Sequence, residues 1–183
     1  MKKIFLLLLL ILPIYANEAQ FYIGASLGGY HESLVQNNAV VNEPIATLKV
    51  GYGERNNYAV EFSVDYIQND SQIFSSGTST DKDRYGFNLA LLKAYDFDIY
   101  VLPYIKAGFG SGYMKITRAM QNKISYGSYN LATGIFIPIN KTFDIEIGYE
   151  YRYLSYQSVN TIAQRVQYKA HANIISSGLN IRF

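Results

Sequence analysis

Two short polar segments contain the residue types that acyl transfer requires. His31 and Ser33 lie in the first segment, and Asp70 and Ser71 are adjacent in the second. A histidine base beside a serine hydroxyl can activate that hydroxyl as a nucleophile. Polar loops also produce such pairs by chance, and the Ser/Thr/Gly run at 75–80 lacks the stiffness that would hold a catalytic pair in place. We therefore interpret all four as ordinary loop positions and predict no catalytic residue.

Composition excludes several other kinds of site. The 183 residues include no Cys, which rules out zinc–thiolate sites, cysteine nucleophiles and disulfides. Charged residues make up 16% of the chain, against roughly 25% in an ordinary soluble domain. With 16 basic and 14 acidic residues the charge is also nearly balanced, which argues against a nucleic-acid binder. We predict no cofactor and no metal site.

The first 16 residues have the pattern of a secretory signal peptide. Lys2 and Lys3 precede the apolar run Ile4–Ile14, and Ala16 offers a cleavage site. The run is shorter than the roughly 20 residues that a membrane-spanning helix needs, although an N-terminal anchor helix is the alternative. We expect residues 1–16 to be removed and residues 17–183 to form one domain.

Period-two alternation dominates the rest of the sequence and predicts strands. In the segment Tyr58–Tyr66, the odd-numbered positions carry small or charged residues and the even-numbered positions carry aromatic or β-branched residues. The segment Phe143–Tyr153 repeats this alternation. Extending the pattern predicts eight strands, near residues 20–30, 44–53, 58–68, 84–95, 99–114, 127–139, 143–156 and 168–183.

The connections between these strands alternate strictly in length. Tight polar turns lie at 54–57, 96–98 and 140–142, while longer loops lie near 31–43, 69–83, 115–126 and 157–167. A closed antiparallel meander places all tight turns at one end and all long loops at the other. The sequence therefore predicts an all-β fold, an eight-stranded antiparallel up-and-down barrel.

One face of the predicted strands carries small residues together with charges of both signs. Such residues suit the narrow lumen of an eight-stranded barrel, where ions must be paired. We predict a structural charge network inside the barrel, with a gated ion path as the alternative. Its predicted members are Lys49, Glu61, Asp65, Lys106, Glu146, Glu150, Arg152 and Arg182, with Asp144 on the same face.

The opposite face is apolar and rich in Tyr toward the strand ends. This is typical of a barrel whose outer wall meets lipid, because interfacial girdles are aromatic. The same alternation would also fit a soluble lipocalin-like cup in the periplasm, whose apolar face would line the interior. We keep this as a third interpretation, after the membrane barrel and the acyltransferase alternative discussed below. In hydrocarbon, only a closed barrel pairs every backbone group of a sheet.

Three segments resemble the small eight-stranded outer-membrane barrels of the OmpA, OmpX and opacity-protein type. They are Leu102–Gly110, Tyr129–Ile135 and Asp144–Tyr153. The last residues are similar to the C-terminal signature of that class, with Phe183 preceded by Ile181 and Leu179 at alternating positions. The resemblance implies insertion into the cell outer membrane by the barrel assembly machinery, which reads this strand. The sequence ends with the eighth strand, so we expect no peptidoglycan-binding role of the kind found in longer relatives.

The long loops are the expected site of recognition. They are rich in Asn, Gln, Ser and Thr, and a barrel projects such loops outward toward a host or surface ligand. Loop 115–126 is basic, with Lys115, Arg118 and Lys123, and we expect it to lie against the phosphates of lipopolysaccharide or in solvent. Outer-membrane lipid is the other expected partner.

These patterns favour a structural or surface-interaction protein with a closed or very narrow lumen. The alternative is a lipid A-modifying acyltransferase, which is also an eight-stranded barrel with His in its first external loop and Asp-Ser in its second. The amphipathic helix that begins that enzyme is absent from this sequence. A deacylase is less well supported, because His171 is followed by Ala172 and Asn173 and is interpreted as a packing residue.

Overall fold

The computed structural model describes residues 19–36, 39–71, 73–75, 79–118, 121–160 and 165–183. The predicted signal peptide, residues 1–16, lies outside the described residues. Within them, no helix is long and apolar enough to cross a membrane.

Ten strands make up the described secondary structure, and eight of them close into one antiparallel barrel in the order β1-β10-β7-β6-β5-β4-β3-β2. This confirms the predicted eight-stranded barrel. The short β8 and β9 form a separate hairpin inside the last long connection. The strands are β1 Gln20–Leu34, β2 Val40–Gly53, β3 Tyr58–Ile67, β4 Arg84–Ala94, β5 Leu102–Arg118, β6 Gln121–Pro138, β7 Phe143–Tyr156, β8 Val159–Asn160, β9 Arg165–Val166 and β10 Lys169–Arg182.

Alternation along each strand separates the lumen from the outer wall. On β3, Glu61 and Asp65 are buried in the lumen, whereas Phe62 and Tyr66 are 44% and 40% exposed on the outside. The lumen is narrow enough that glycines are required beneath its tyrosine rings. A Cβ at Gly51 would overlap the ring of Tyr22, so only glycine fits beneath that ring.

Several strands run farther toward the long-loop end than the sequence predicted. β1 continues to Leu34, so His31 and Ser33 lie on a strand rather than in a loop. The predicted loop 115–126 is instead mostly an extended hairpin, in which Lys115 on β5 pairs with Lys123 on β6. The outward positions there carry polar residues such as Lys115 and Lys123, whereas the inward Ile116 and Ile124 are apolar and buried.

At the opposite end, one turn is longer than predicted. β5 begins at Leu102 rather than at 99, and residues 95–101 form the connection. Asp98 adopts a positive φ of 58°, and its N–H donates to the Asp96 carboxylate at 3.0 Å. This local bond turns the chain before the ladder resumes.

The rim at the long-loop end is uneven. β3 ends at Ile67 and β4 begins at Arg84, while the neighbouring β2 and β5 continue beyond them. The connection between β3 and β4 fills this notch, and the side chain of Phe74 packs inward with no solvent exposure. The expectation that large apolar residues lie on the outer wall is therefore wrong for the upper lumen. Its apolar cluster contains Tyr30, Leu34, Ile45, Ile67, Phe74, Met114, Ile116, Ile124, Tyr126, Leu154, Tyr156, Ala170, Ala172 and Ile174.

Candidate functional site

The first cluster in the lumen joins two lysines and two glutamates. Lys49 on β2 forms an ion pair with Glu146 on β7, and its Nζ lies 3.7 Å from Glu61. Lys106 on β5 completes the set, with its Nζ 2.8 Å from a Glu61 oxygen. Each carboxylate also accepts a tyrosine hydroxyl at 2.9 Å, from Tyr22 to Glu61 and from Tyr104 to Glu146. Opposite charges and hydrogen bonds thus compensate for the loss of solvent.

A second cluster surrounds Arg152. Its Nη1 lies 2.6 Å from Asp65, and its Nε lies 2.5 Å from Glu150. Asp65 accepts two further bonds at 2.8 Å, from Thr47 and from Asn88. All eight charged residues predicted for the lumen therefore face inward and lie in ion pairs, counting Arg182 in the next cluster.

The third cluster lies at the tight-turn end. Arg182 donates to Asp144 at 2.7 Å, and Arg55 from the β2–β3 turn pairs with the same carboxylate. The prediction did not include Arg55, because turn residues have no strand parity that would assign them to the lumen. Below this cluster the barrel opens into a mouth of about 780 Å³, whose lining includes Arg55, Tyr100 and Lys141.

A fourth cluster, toward the long-loop end, was missed by the sequence interpretation. Arg84 pairs with Glu32, and both side chains are fully buried. Glu32 accepts the hydroxyls of Tyr30 at 2.8 Å and Tyr156 at 2.6 Å. The missed signal is parity: Glu32 continues the even-numbered lumen positions of β1 beyond the predicted strand end.

These clusters leave little free volume. Between the first and second clusters there is a cavity of about 30 Å³, lined by residues that include Ser26, Lys49, Glu61 and Arg152. Such a space holds about one water molecule. The arrangement fills and braces the interior of the barrel.

The structure does not bring the acyl-transfer candidates together. His31 and Ser33 face the outer wall, and His31 Nδ1 lies 2.5 Å from Asn42 Oδ1 on the neighbouring strand. Ser71 Oγ instead donates to Asp81 at 3.1 Å inside the β3–β4 connection, next to Asp70. His171, interpreted as a packing residue, is half-buried on the outer wall, where its ring lies against the rings of Tyr151 and Tyr153.

Five further predicted residues lie on the outside of the barrel: Lys115, Lys123, Leu179, Ile181 and Phe183. Lys115 and Lys123 are exposed and directly opposite each other, and Arg118 pairs with Gln121 through the backbone. At the other end, Leu179, Ile181 and Phe183 are exposed, and the Phe183 N–H donates to the Phe21 carbonyl at 2.9 Å. In the part of the chain that the structure describes, no group of three or more His, Cys, Asp or Glu side chains could hold a metal ion.

Known proteins with the same fold are outer-membrane barrels. Neisserial surface protein A (NspA) has a TM-score of 0.69 and 15% identity, with 91% of this chain and 100% of that chain covered. Ail of Yersinia pestis has a TM-score of 0.55, 17% identity and coverages of 91% and 99%. OprG of Pseudomonas aeruginosa has a TM-score of 0.55, 12% identity and coverages of 92% and 97%. A search of curated proteins found no match.

The family assignment rests on the sequence itself. The family model described as "Outer membrane protein beta-barrel domain" matches residues 4–183. Together with the closed barrel and its apolar outer wall, this match places the protein in the outer membrane. Barrels of this kind have short turns on the periplasmic side and longer loops on the extracellular side, and we name the two ends accordingly. The chain belongs to the outer membrane protein beta-barrel domain family.

Proposed function

We propose that this barrel is a non-enzymatic outer-membrane protein with a closed lumen and a structural or surface-interaction role. The observation that carries the proposal is the filled lumen. Four ionic clusters lie along the interior, and the apolar cluster that contains Phe74 covers the extracellular end. The function therefore belongs to the outer wall and the extracellular rim, not to a pathway through the barrel.

The strand number supports the closed lumen. Eight strands leave an interior just wide enough for side chains, whereas diffusion channels have about 16. Conversion into a pore would require breaking buried ion pairs such as Lys49–Glu146 and Arg84–Glu32. Removing one partner of such a pair is costly, because the other charge stays buried.

The extracellular rim supports the surface-interaction role. At the long-loop end, β1, β2 and the β5–β6 hairpin extend beyond the ends of β3 and β4. The strands β8 and β9 add a hairpin to the last loop. The ends of these strands form a rigid base at the loop end of the barrel, where recognition residues are usually placed. One structural relative, Ail of Yersinia pestis, was solved in complex with the heparin analogue sucrose octasulfate. For this chain, we infer an extracellular ligand at the long-loop end of the barrel.

Three measurements test the proposal: conductance, adhesion and the integrity of the cell envelope. In planar lipid bilayers, the reconstituted barrel should give no conductance steps; stable steps of defined size would overturn the closed lumen. Cells that display the barrel should adhere to fixed epithelial cells or to immobilised heparin better than cells without the gene.

Replacing residues 161–164 with Gly and Ser should reduce this adhesion. The same four-residue replacement at 96–99, in a periplasmic turn, is the matched control and should not reduce adhesion. Equal adhesion and equal envelope integrity with and without the gene would overturn both proposed roles.

A further inference from the structure

A ladder of three tyrosines crosses the outer wall just below the extracellular rim. Tyr66, Tyr85 and Tyr113 lie on β3, β4 and β5, and both neighbouring ring pairs have centroids 5.6 Å apart. Tyrosines at this position mark the boundary between hydrocarbon and headgroups. The Tyr66 hydroxyl donates to Asp83 at 2.7 Å, so the ladder's polar edge points away from the hydrocarbon.

Two lysines lie immediately beyond this ladder. Lys115 follows Tyr113 by two residues on the same face of β5, and Lys123 stands directly opposite it on β6. Two residues of strand correspond to about 7 Å along the chain, which places both ammonium groups at the level of lipid headgroups. The Lys123 Nζ lies 4.0 Å from the centroid of the Tyr113 ring, which fixes that side chain over the ladder.

Among the described residues these lysines have no carboxylate partner, and the Tyr113 ring offsets only part of the charge of Lys123. Like charges directly opposite each other destabilise a strand pair. Lys82 is a third exposed lysine. It lies beside Lys115, because its backbone N–H donates to the Lys115 carbonyl at 3.0 Å. Among the described residues, no carboxylate lies within ion-pair distance of Lys82, Lys115 or Lys123. The nearby Asp83 already accepts bonds from Tyr66 and from the Asn69 N–H.

The opposite wall differs at the same level. Above the apolar positions of β1, β2 and β10, the outward side chains are His31, Asn42 and Asn173. His31 bonds with Asn42, and Asn173 accepts the hydroxyl of Tyr149 at 2.6 Å. These groups satisfy one another, whereas the lysine pair needs an external anion. At this level β1, β2 and β10 therefore present no lysine pair, and the exposed Lys169 lies farther along β10 toward the loops.

We propose that Lys115 and Lys123, the latter held over the ring of Tyr113, bind a phosphate group of a phosphorylated glycolipid in the outer leaflet, of the lipid A class. The phosphate offsets the repulsion between the two ammonium groups and accepts charge-assisted hydrogen bonds from both. The acyl chains of the lipid lie down the apolar wall beneath Tyr85 and Tyr113. This site orients one lipid against β5 and β6.

Binding of purified lipid A to the folded barrel in detergent tests the proposal. Titrations compare bisphosphorylated lipid A with dephosphorylated lipid A of the same acyl composition. The native barrel should prefer the phosphorylated lipid. Lys115→Gln combined with Lys123→Gln should weaken its binding about 10- to 30-fold, the effect of losing two interfacial lysines, and should leave binding of the dephosphorylated lipid unchanged. Lys115→Arg with Lys123→Arg should retain the preference.

Lys93 provides the matched control. Its Nζ lies 4.3 Å from the centroid of the Tyr58 ring on the outer wall at the periplasmic end, so Lys93→Gln removes a similar lysine–tyrosine contact elsewhere. This variant should bind lipid A as the native barrel does. Heat-modifiable mobility on a gel confirms that every variant is folded.

Three outcomes would overturn the proposal. They are equal affinity for the two lipids, unchanged binding by the double Gln variant, and displacement of lipid A by inorganic phosphate at low millimolar concentration. The last result would indicate a site for soluble phosphate instead of a lipid.

Discussion

The buried carboxylate of Asp81 accepts a hydrogen bond from the backbone N–H of Phe74 at 3.0 Å. The same carboxylate accepts the N–H groups of Ile73 at 3.0 Å and Ser75 at 2.7 Å, and the Ser71 hydroxyl at 3.1 Å. The Asp81 carboxylate thus accepts the backbone N–H groups of three consecutive residues in this turn. This allows the turn to insert Phe74 among the apolar residues of the upper lumen, where its ring packs against Tyr156 and Tyr168.

Asp81→Ala should release this turn while leaving the barrel folded. Loss of the carboxylate removes the acceptor of one buried and two partly buried N–H groups, and each hydrogen bond to a charged group contributes about 1.5–3 kcal/mol. Because the chain has no Cys, Phe74→Cys introduces a unique thiol at the buried position. A water-soluble thiol reagent should label this cysteine slowly when Asp81 is present and at least about tenfold faster with Asp81→Ala.

A cysteine at Val35 is the control for this experiment. Val35 is 53% exposed at the same end of the barrel, so its labelling should be fast with either residue at position 81. Equal labelling rates for Phe74→Cys in both backgrounds would show that Asp81 does not hold the turn.

The wall of the barrel could be predicted from sequence because a strand assigns its faces by parity alone. Once Tyr58–Tyr66 was identified as a strand, the inward positions of Glu61 and Asp65 followed. The same rule identified Lys49 and Arg152. Their partners across the lumen could not be derived, because register and tilt, which parity leaves open, decide which inward residues meet.

The strand ends at the rim could not be predicted, because the strands continue beyond their last apolar outward positions. Above the membrane the outward positions of β1 are polar, so the apolar stripe does not mark where the strand ends, and a prediction that follows this stripe places Glu32 in a loop although its parity continues. The position of Phe74 depends on hydrogen bonds to Asp81, seven residues away. A polar run rich in Ser and Thr gives no sign that one of its neighbours is a buried anchor.

Arg84→Met should be among the most destabilising lumen substitutions. It leaves the Glu32 carboxylate buried without its cation, at a cost of about 3–5 kcal/mol. Adding Glu32→Gln should recover part of that loss, because the amide oxygen still accepts the hydroxyls of Tyr30 and Tyr156 without a charge. Urea unfolding of the barrel in lipid vesicles, followed by circular dichroism, measures the cycle. Strict additivity of the two substitutions would argue against a coupled pair.

Arginine substitutions on adjacent residues should separate the lipid-facing wall from the lumen. Val64→Arg or Ile147→Arg should cost about 2–4 kcal/mol near the midplane, because those side chains face outward. Gly148→Arg should act differently, since any side chain there overlaps the Tyr104 hydroxyl in the lumen. Ser63→Arg should disturb the lumen charges instead.

Single cysteines test the facing directly. A lipid-soluble thiol reagent should label Val64→Cys and not Ser63→Cys. Labelling of position 63 from lipid, together with labelling of position 64 from water, would falsify the facing.

Deletion of Phe183 should reduce insertion into the outer membrane. Leu179, Ile181 and Phe183 present an alternating apolar row on the outer side of the last strand, with Phe183 69% exposed. We expect this row to be the part that the assembly machinery reads, so that the truncated protein is degraded in the periplasm. Phe183→Tyr keeps an aromatic end and should insert normally. Membrane fractionation with immunoblotting gives the result, and normal membrane levels of the truncated chain would remove this role for the residue.

Lipid A acylation should not depend on this protein. An acyl-transfer centre would need its histidine within about 3 Å of a serine hydroxyl in a productive state. His31 faces outward and bonds with Asn42, while Ser71 donates to Asp81 inside the β3–β4 connection.

Ser33 lies two residues from His31 on the same face of β1. Because the His31 ring bonds with Asn42 instead, we do not expect it to activate the Ser33 hydroxyl. Mass spectra of lipid A from cells with and without the gene should be identical, and His31→Ala should change nothing. A lipid A species that gains one acyl chain only with the intact gene, and loses it with His31→Ala, would establish an enzyme instead.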